Sequence, residues 1–379
     1  MAPGRCPPGI PSLRRGAPTP RRSPRAWLAL AAVAAVAWPF LLPRTTHFYG
    51  ALATVYALVA LSLVVLSGWT GQISLGHAAF LGLGVYVGQR LLHAGVPLVV
   101  TLPAVALLGG AVSLVLGIPS LRLRGVYLTI VTLAFGAACE RWLFALPAVR
   151  GYKSGIVPRA TLLGFPTTTD RGLYLVGLAV LGLSLAAVHN LRRSDVGRAW
   201  FALRDSEDAA AALGIRVAPY KIGAFALSAA LTTTAGVLYG MLFQATPGPS
   251  QFGVLESFFL LALPVVGGIG SVAGAVVGGA LFATAQPVVN EFGVRLFLAT
   301  GVMLAVVTLS RTDGVVGAVT RLVRAGRAAG GPAPAAYGSF AADVPTPDGA
   351  SERPVIHVPH ALPAGTRLRL RFAPGGGRR

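Results

Sequence analysis

Long apolar runs separated by short polar breaks dominate the chain, and they predict helices that cross a bilayer. A hydrocarbon core is spanned by about 17–25 apolar residues in helical form. The runs at 26–43, 49–67, 77–94, 96–118, 125–147, 172–190, 221–243 and 294–310 fit that length. The run 257–287 differs: it exceeds one crossing, falls short of two, and is broken by Pro264 and by Gly267, Gly268 and Gly270. That pattern predicts two short half-helices, as a re-entrant hairpin or a pair of abbreviated crossings, because non-helical backbone survives at membrane depth only inside protein or along a cavity. The expected fold class is all-α: a polytopic membrane protein with about 8 full transmembrane helices plus this broken pair.

One polar break is long. Residues 191–220 separate two spans with charge of both signs, including Asp195, Asp205, Glu207 and Asp208. From Trp200 to Leu213 the apolar residues can share one side of a short helix, with Gly214 suited to its C-terminus and Pro219 keeping it from running into the next span. Such a helix either lies on lipid or docks a partner protein, and its acids favour the protein. The domain plan is therefore a basic tail (1–25), a transmembrane domain (26–318) containing the 191–220 loop, and a tail (319–379) whose Gly, Ala, Pro and Arg content is too polar to fold. The first apolar run, with Ala35-Val36-Ala37 after a basic region, resembles a signal peptide, but Trp38–Leu42 continue it as an uncleaved anchor would.

Composition narrows the class. The chain is 54% hydrophobic and 12% charged, against about 25% charged in a soluble domain, which excludes a soluble globule. A net charge of +20 would suit a nucleic-acid binder, yet the arginines flank apolar runs. Lys and Arg mark cytoplasmic loops. They gather in the N-terminal tail, at Arg122 and Arg124, across 191–221 and after Arg311, all on one side if the spans alternate from a cytoplasmic N-terminus. The C-terminus joins that side when 257–287 enters and leaves on the outer face. Both termini are expected in the cytoplasm, with a lipid bilayer and no nucleic acid as partner. Cys6 and Cys139 are too few to frame a disulfide fold.

Three further segments carry candidate chemistry. In SGWTGQISLGH (67–77), Gly68, Gly71 and Gly76 loosen the helix while Gln72, Ser74 and His77 offer polar groups. The segment reads either as unwound backbone lining a polar path or as a turn whose polar groups cap helix ends. In PSLRLRGVYLT (119–129) the arginines anchor a span, and Tyr127 and Thr129 are candidates for facing a path. Gly270, Gly274 and Gly278 recur every four residues, so they predict a helix face that admits a second backbone. No G-x-x-x-x-G-K-[ST] loop is present, so no ATP hydrolysis of that kind is expected of this chain, and neither metal nor other cofactor is expected. Asp205 and Asp208 share a turn without a second carboxylate cluster to complete a Mg²⁺ site. Glu140 is the one acid read as lying well inside a span, near its outer end.

GQISLGHAAFLGLGVYVG (71–88), LRLRGVYLTIVTLAFG (121–136), GRAWFALRDSEDAAAALGI (197–215) with YKIGAFALSAAL after it, and GGIGSVAGAVVGGAL (267–281) occur in one order. Together they resemble the LivM-type inner-membrane permeases of branched-chain amino acid ABC transporters. The resemblance implies a bacterial plasma-membrane protein that passes branched-chain amino acids. It also implies separate ATPase subunits, a second LivH-type permease subunit and an extracytoplasmic solute-binding protein. The 197–214 helix would be the coupling element, with Arg198, Arg204, Glu207, Ala209, Ala210 and Gly214 as its contacts, and Gln72, Ser74 and His77 would lie on the translocation path. The outer loop GYKSGIVPRATLLGF (151–165) lacks the Gly-Gly-rich run of such permeases, and the tail after 326 has no counterpart in them. Relatives that carry urea or short amides are the alternative, and an ion-coupled carrier is another. A polytopic enzyme would need a metal or nucleophile constellation, and none is found in the sequence.

Overall fold

The structure is a computed structural model that describes residues 44–120, 126–150, 157–161, 167–291 and 314–317 of a helical unit, Met1–Ala318, and four short strands of a second unit, Val319–Arg379. The runs predicted at 26–43 and 294–310 lie outside the described residues.

The helical unit begins with α1 (Arg44–Leu63), which continues as a π-helical turn over Val64–Trp69. α2 (His77–His93), α3 (Leu98–Ser120) and α4 (Val126–Arg141) follow, then a four-residue helix α5 (Pro147–Arg150). α6 (Asp170–Arg193) leads into two short helices, α7 (Asp195–Asp205) and α8 (Glu207–Ala212), before the long α9 (Val217–Phe243). A 3₁₀ turn (Pro249–Phe252), α10 (Val254–Gly267) and α11 (Val272–Glu291) complete the described bundle. Among the described residues, 6 helical stretches are long and apolar enough to cross a membrane. α2, at 17 residues, is shorter because its first turn starts inside the bundle.

Spans of similar hydropathy take different places in the bundle. The span Thr46–Trp69 is 89% buried and forms the hub, whereas Leu98–Gly117 and Tyr127–Ala145 are 28% buried and present apolar faces outward. α1 packs against α11, α6 and α9, and α9 in turn holds α2 and α3. Glycine sets how closely these helices approach. A Cβ on Gly84 of α2 would lie 2.0 Å from the Thr233 carbonyl oxygen of α9, and one on Gly236 would lie 2.2 Å from that of Leu81.

The run 257–287 is broken, as the glycines predict, at Gly268–Ser271. Its two arms differ from the expectation of short half-helices. The first starts at Val254, preceded by the 3₁₀ turn, and keeps Pro264 inside the helix, and the second runs 20 residues to Glu291. Gly274 and Gly278 press against the Leu263–Gly268 backbone at 2.2–2.8 Å from their ideal Cβ positions, so they are packing glycines. Gly270 lies in the turn before the helix, nearest to Arg204 at 3.9 Å, and does not share that face.

In the second unit, β1 (Ser339–Ala341) pairs antiparallel with β4 (Val355–His357), and β2 (Val344–Pro345) with β3 (Ser351–Glu352). These local pairings fall in the stretch whose composition reads as too polar to fold.

Candidate functional site

The structure brings the two polar segments singled out in the sequence, 67–77 and 191–221, to one end of the bundle. The first span does not end as an ordinary helix. After the π-turn the chain reverses at Gly71, whose φ of +71° suits glycine, and runs non-helically to Gly76. Unwound backbone must find partners when buried, and here α4 provides them. Thr132 Oγ1 accepts from the Leu75 amide at 3.0 Å, and Thr129 donates its hydroxyl to the Ile73 carbonyl at 3.2 Å. Within the segment, the Gln72 amide and the Thr70 hydroxyl both donate to the Leu66 carbonyl, at 3.1 and 2.6 Å.

Gln72, Ser74 and His77 are all buried. Gln72 Nε2 donates to Thr70 Oγ1 at 3.0 Å, Ser74 Oγ accepts from the Gly76 amide at 3.4 Å, and His77 Nε2 sits 2.9 Å from Ser228 Oγ of α9. Ser228 donates to the Ser62 carbonyl of α1 at 2.9 Å, and Ser62 and Thr232 share a hydrogen bond of 2.8 Å. His77 therefore latches the start of α2 to the middle of α9 and, through Ser228, to the C-terminal end of α1. Ser257 of α10 joins the same junction by accepting from the Ala78 amide at 3.3 Å.

The 191–221 loop folds as two helices where the sequence predicted one. Ser206 is extended, and its hydroxyl accepts from the Ala209 amide at 3.2 Å, so it caps a fresh helix carrying Glu207 and Asp208 in its first turn. Gly214, at φ +84°, ends it. Trp200, Leu203 and Ala210 form the buried face, with Trp200 Nε1 donating to the Tyr220 carbonyl at 2.9 Å and its ring 6.4 Å from that of Trp69.

The six residues expected to couple fall into two groups. Arg198, Ala209 and Gly214 are exposed, Arg198 beside Asp195, and Leu213 stands out further at 81% exposure. Ala210 is buried, Glu207 turns inward to pair with the buried Lys221, and Arg204, itself exposed, reaches in to donate from Nη1 to the Gly68 carbonyl at 2.6 Å. Arg204 thus joins the two polar segments directly. Sequence reading named Gly68 only as a loosening glycine and missed Trp69 and Lys221 here. The spacing of the glycines signalled a loosened helix but not the partner it meets.

A second acid also escaped the sequence reading. Glu140 is not alone inside a span, because Glu256 lies in the first turn of α10 within the span Pro249–Gly267. The apolar run was expected to start at Ser257, one residue too late to include it. A helix N-terminus tolerates a carboxylate, which lets this span begin earlier than its hydropathy suggests.

A bundle of apolar helices around an interrupted span, with a polar helix pair gripping that interruption, defines a membrane permease subunit. Residues 47–309 match the family described as the branched-chain amino acid transport system / permease component, and the chain belongs to that family. It is 34% identical over 309 residues to the high-affinity branched-chain amino acid transport system permease protein LivM of Escherichia coli (strain K12), covering 75% of this chain and 72% of that protein. The LivM protein of Salmonella typhimurium is 33% identical over the same shares. No solved structure matches this chain. The protein is a multi-pass membrane permease component of the ABC transporter type.

Proposed function

We propose that this chain passes branched-chain amino acids across the bacterial plasma membrane, driven by separate ATPase subunits that dock on α7 and α8. One observation carries the reading. The exposed surface of Arg198, Ala209, Leu213 and Gly214 is tied to the interrupted span by Arg204 and to α9 by the Glu207–Lys221 pair. A push on that surface reaches the interior without passing through a flexible link. Exposed helix faces receive the partner, and Arg204, Glu207 and Ala210 transmit. Gln72, Ser74 and His77 serve passage by holding the unwound segment in place beside the path. A second LivH-type permease subunit and an extracytoplasmic binding protein complete the transporter, and both termini of this chain lie in the cytoplasm.

The test is uptake of radiolabelled L-leucine by vesicles holding the permease pair, its ATPase and its binding protein. Uptake is expected to require ATP. Uptake driven by a sodium or proton gradient without ATP contradicts the reading. In the same assay Glu207→Arg sets a second cation against Lys221, whose side chain is 8% exposed. It lowers uptake about tenfold or more while leaving membrane insertion intact, since an unpaired buried charge is costly. Adding Lys221→Glu restores part of the loss. Wild-type uptake by Glu207→Arg at equal protein level removes Glu207 from the coupling route.

A further inference from the structure

A groove runs down the outside of the bundle between α6 and α9. α6 packs along α1 and meets α9 less closely, and an open cavity of about 460 Å³ lies between them. Its walls are Ala187, Val188 and Leu191 of α6 and Leu227 and Leu231 of α9. Positions 184, 187, 188 and 191 recur at three and four residues and so share one helix face. Ala187, in the middle of that face, is too small to fill the gap. From Ser184 to Ser194 the groove follows about 15 Å of helical rise and ends where the α6 span ends.

Polar and basic groups gather at that end. Asn190 and Ser194 line the groove there. Asn190 is exposed, and its carboxamide has no hydrogen-bond partner among the described residues. Arg192 and Arg193 stand in the last turn of α6, both exposed. Arg192 lies over the rings of Trp69 and Phe201, at 6.0 and 5.9 Å. Among the described residues no acid pairs with Arg193, and Asp195, the acid next to this end, is held by Arg198.

Width and charge together choose the occupant. A volume of about 460 Å³ along about 15 Å makes a channel about 6 Å wide. One hydrocarbon chain fits that width, and a helix of about 10–12 Å does not. The walls are apolar at a depth where lipid is the solvent. A cation without a partner at the membrane surface attracts an anionic headgroup, and a carboxamide N–H donates to a phosphate or ester oxygen.

We propose that the α6–α9 groove binds one anionic phospholipid, with an acyl chain along Ala187, Val188 and Leu227 and its phosphate held by Arg193 and Asn190. The bound lipid braces the joint where α6 turns into α7, beside the contact of Arg192 with Trp69. The site follows from the geometry of the bundle and is independent of which solute the chain carries. Its rivals are unselective surrounding lipid and a helix of a second permease subunit.

The full-length chain, purified in mild detergent and stripped of lipid, is offered phosphatidylglycerol or phosphatidylcholine with identical acyl chains. Native mass spectrometry counts the lipid retained. One phosphatidylglycerol per chain is expected, held about fivefold or more over phosphatidylcholine. Arg193→Gln lowers that retention about fivefold, and Arg193→Lys keeps most of it. Ala187→Trp, at an exposed position, fills the groove and abolishes retention of both lipids. Leu183→Trp, on the same helix at 75% exposure but outside the groove, leaves retention unchanged. Arg193 is exposed, so its variants give an answer even where Ala187→Trp lowers the yield. Equal retention of the two lipids, no retained lipid in the wild type, or unchanged retention in Arg193→Gln or Ala187→Trp overturns the proposal. Loss of the lipid in the complete transporter, with a cysteine at position 187 cross-linking to the second permease subunit, overturns it in favour of a protein partner.

Discussion

Gly84→Leu is expected to leave almost no folded protein in the membrane. At this crossing the backbones of α2 and α9 touch: an ideal Cβ on Gly84 stands 2.0 Å from the Thr233 carbonyl oxygen and 2.9 Å from Gly236 Cα. A clash with backbone is not relieved by turning a side chain, so the helices must separate along their length. Overpacking costs about 3 kcal/mol or more in such a case. The separation would also strain the His77–Ser228 latch and the Thr233–Val105 hydrogen bond of 3.2 Å that joins α9 to α3. Gly223 of α9 is the control, because a Cβ there meets nothing within 4 Å. Monodisperse yield and melting temperature in detergent report the difference. Equal values for Gly84→Leu and Gly223→Leu would show that the two helices do not meet as described.

Arg204→Met should separate ATP hydrolysis from transport. The guanidinium of Arg204 donates to the Gly68 carbonyl at 2.6 Å, and its side chain also neighbours Gly71 and Gly270. It therefore touches the end of the first span, the unwound segment and the tip of the α10–α11 hairpin at once. Methionine keeps much of the aliphatic stem and removes the charged donor. A hydrogen bond to a charged group contributes about 1.5–3 kcal/mol, and a loss of 1.4 kcal/mol corresponds to about tenfold. Leucine uptake is expected to fall about tenfold or more, with hydrolysis by the docked ATPase near its wild-type rate. Lysine at this position recovers only part, since it supplies a point charge in place of a planar fork. A parallel loss of hydrolysis and uptake would mean that Arg204 supports docking and does not carry force inward.

Much of this architecture was legible as pattern. The apolar runs located the described spans because burial in lipid and burial in protein both demand apolar side chains. The break in 257–287 followed from its glycines. Gly214 marked the end of α8 because a left-handed residue there needs no Cβ. What pattern does not carry is contact between distant segments. Nothing in the spacing of Arg204 and Gly68 says that a side chain of one polar loop satisfies a carbonyl of the other. The same holds for Glu207, which looked like a surface acid and is an inward ion pair. Ser206 was read as part of one helix, although a serine before two acids is a start signal strong enough to divide it. Glu256 was lost to a boundary one residue off, the least secure feature of any hydropathy reading.

If α7 and α8 form the inner surface through which an ATPase moves the membrane helices, that surface is reachable from the cytoplasm and covered when the ATPase binds. The direct measurement places one cysteine at Ala209, which is exposed, in a chain with Cys6 and Cys139 replaced by alanine. Labelling by a membrane-impermeant maleimide is compared in inverted and right-side-out vesicles, with and without the ATPase. Labelling is expected in inverted vesicles alone, suppressed when the ATPase is bound. Labelling in right-side-out vesicles, or labelling that the ATPase leaves unchanged, would contradict it.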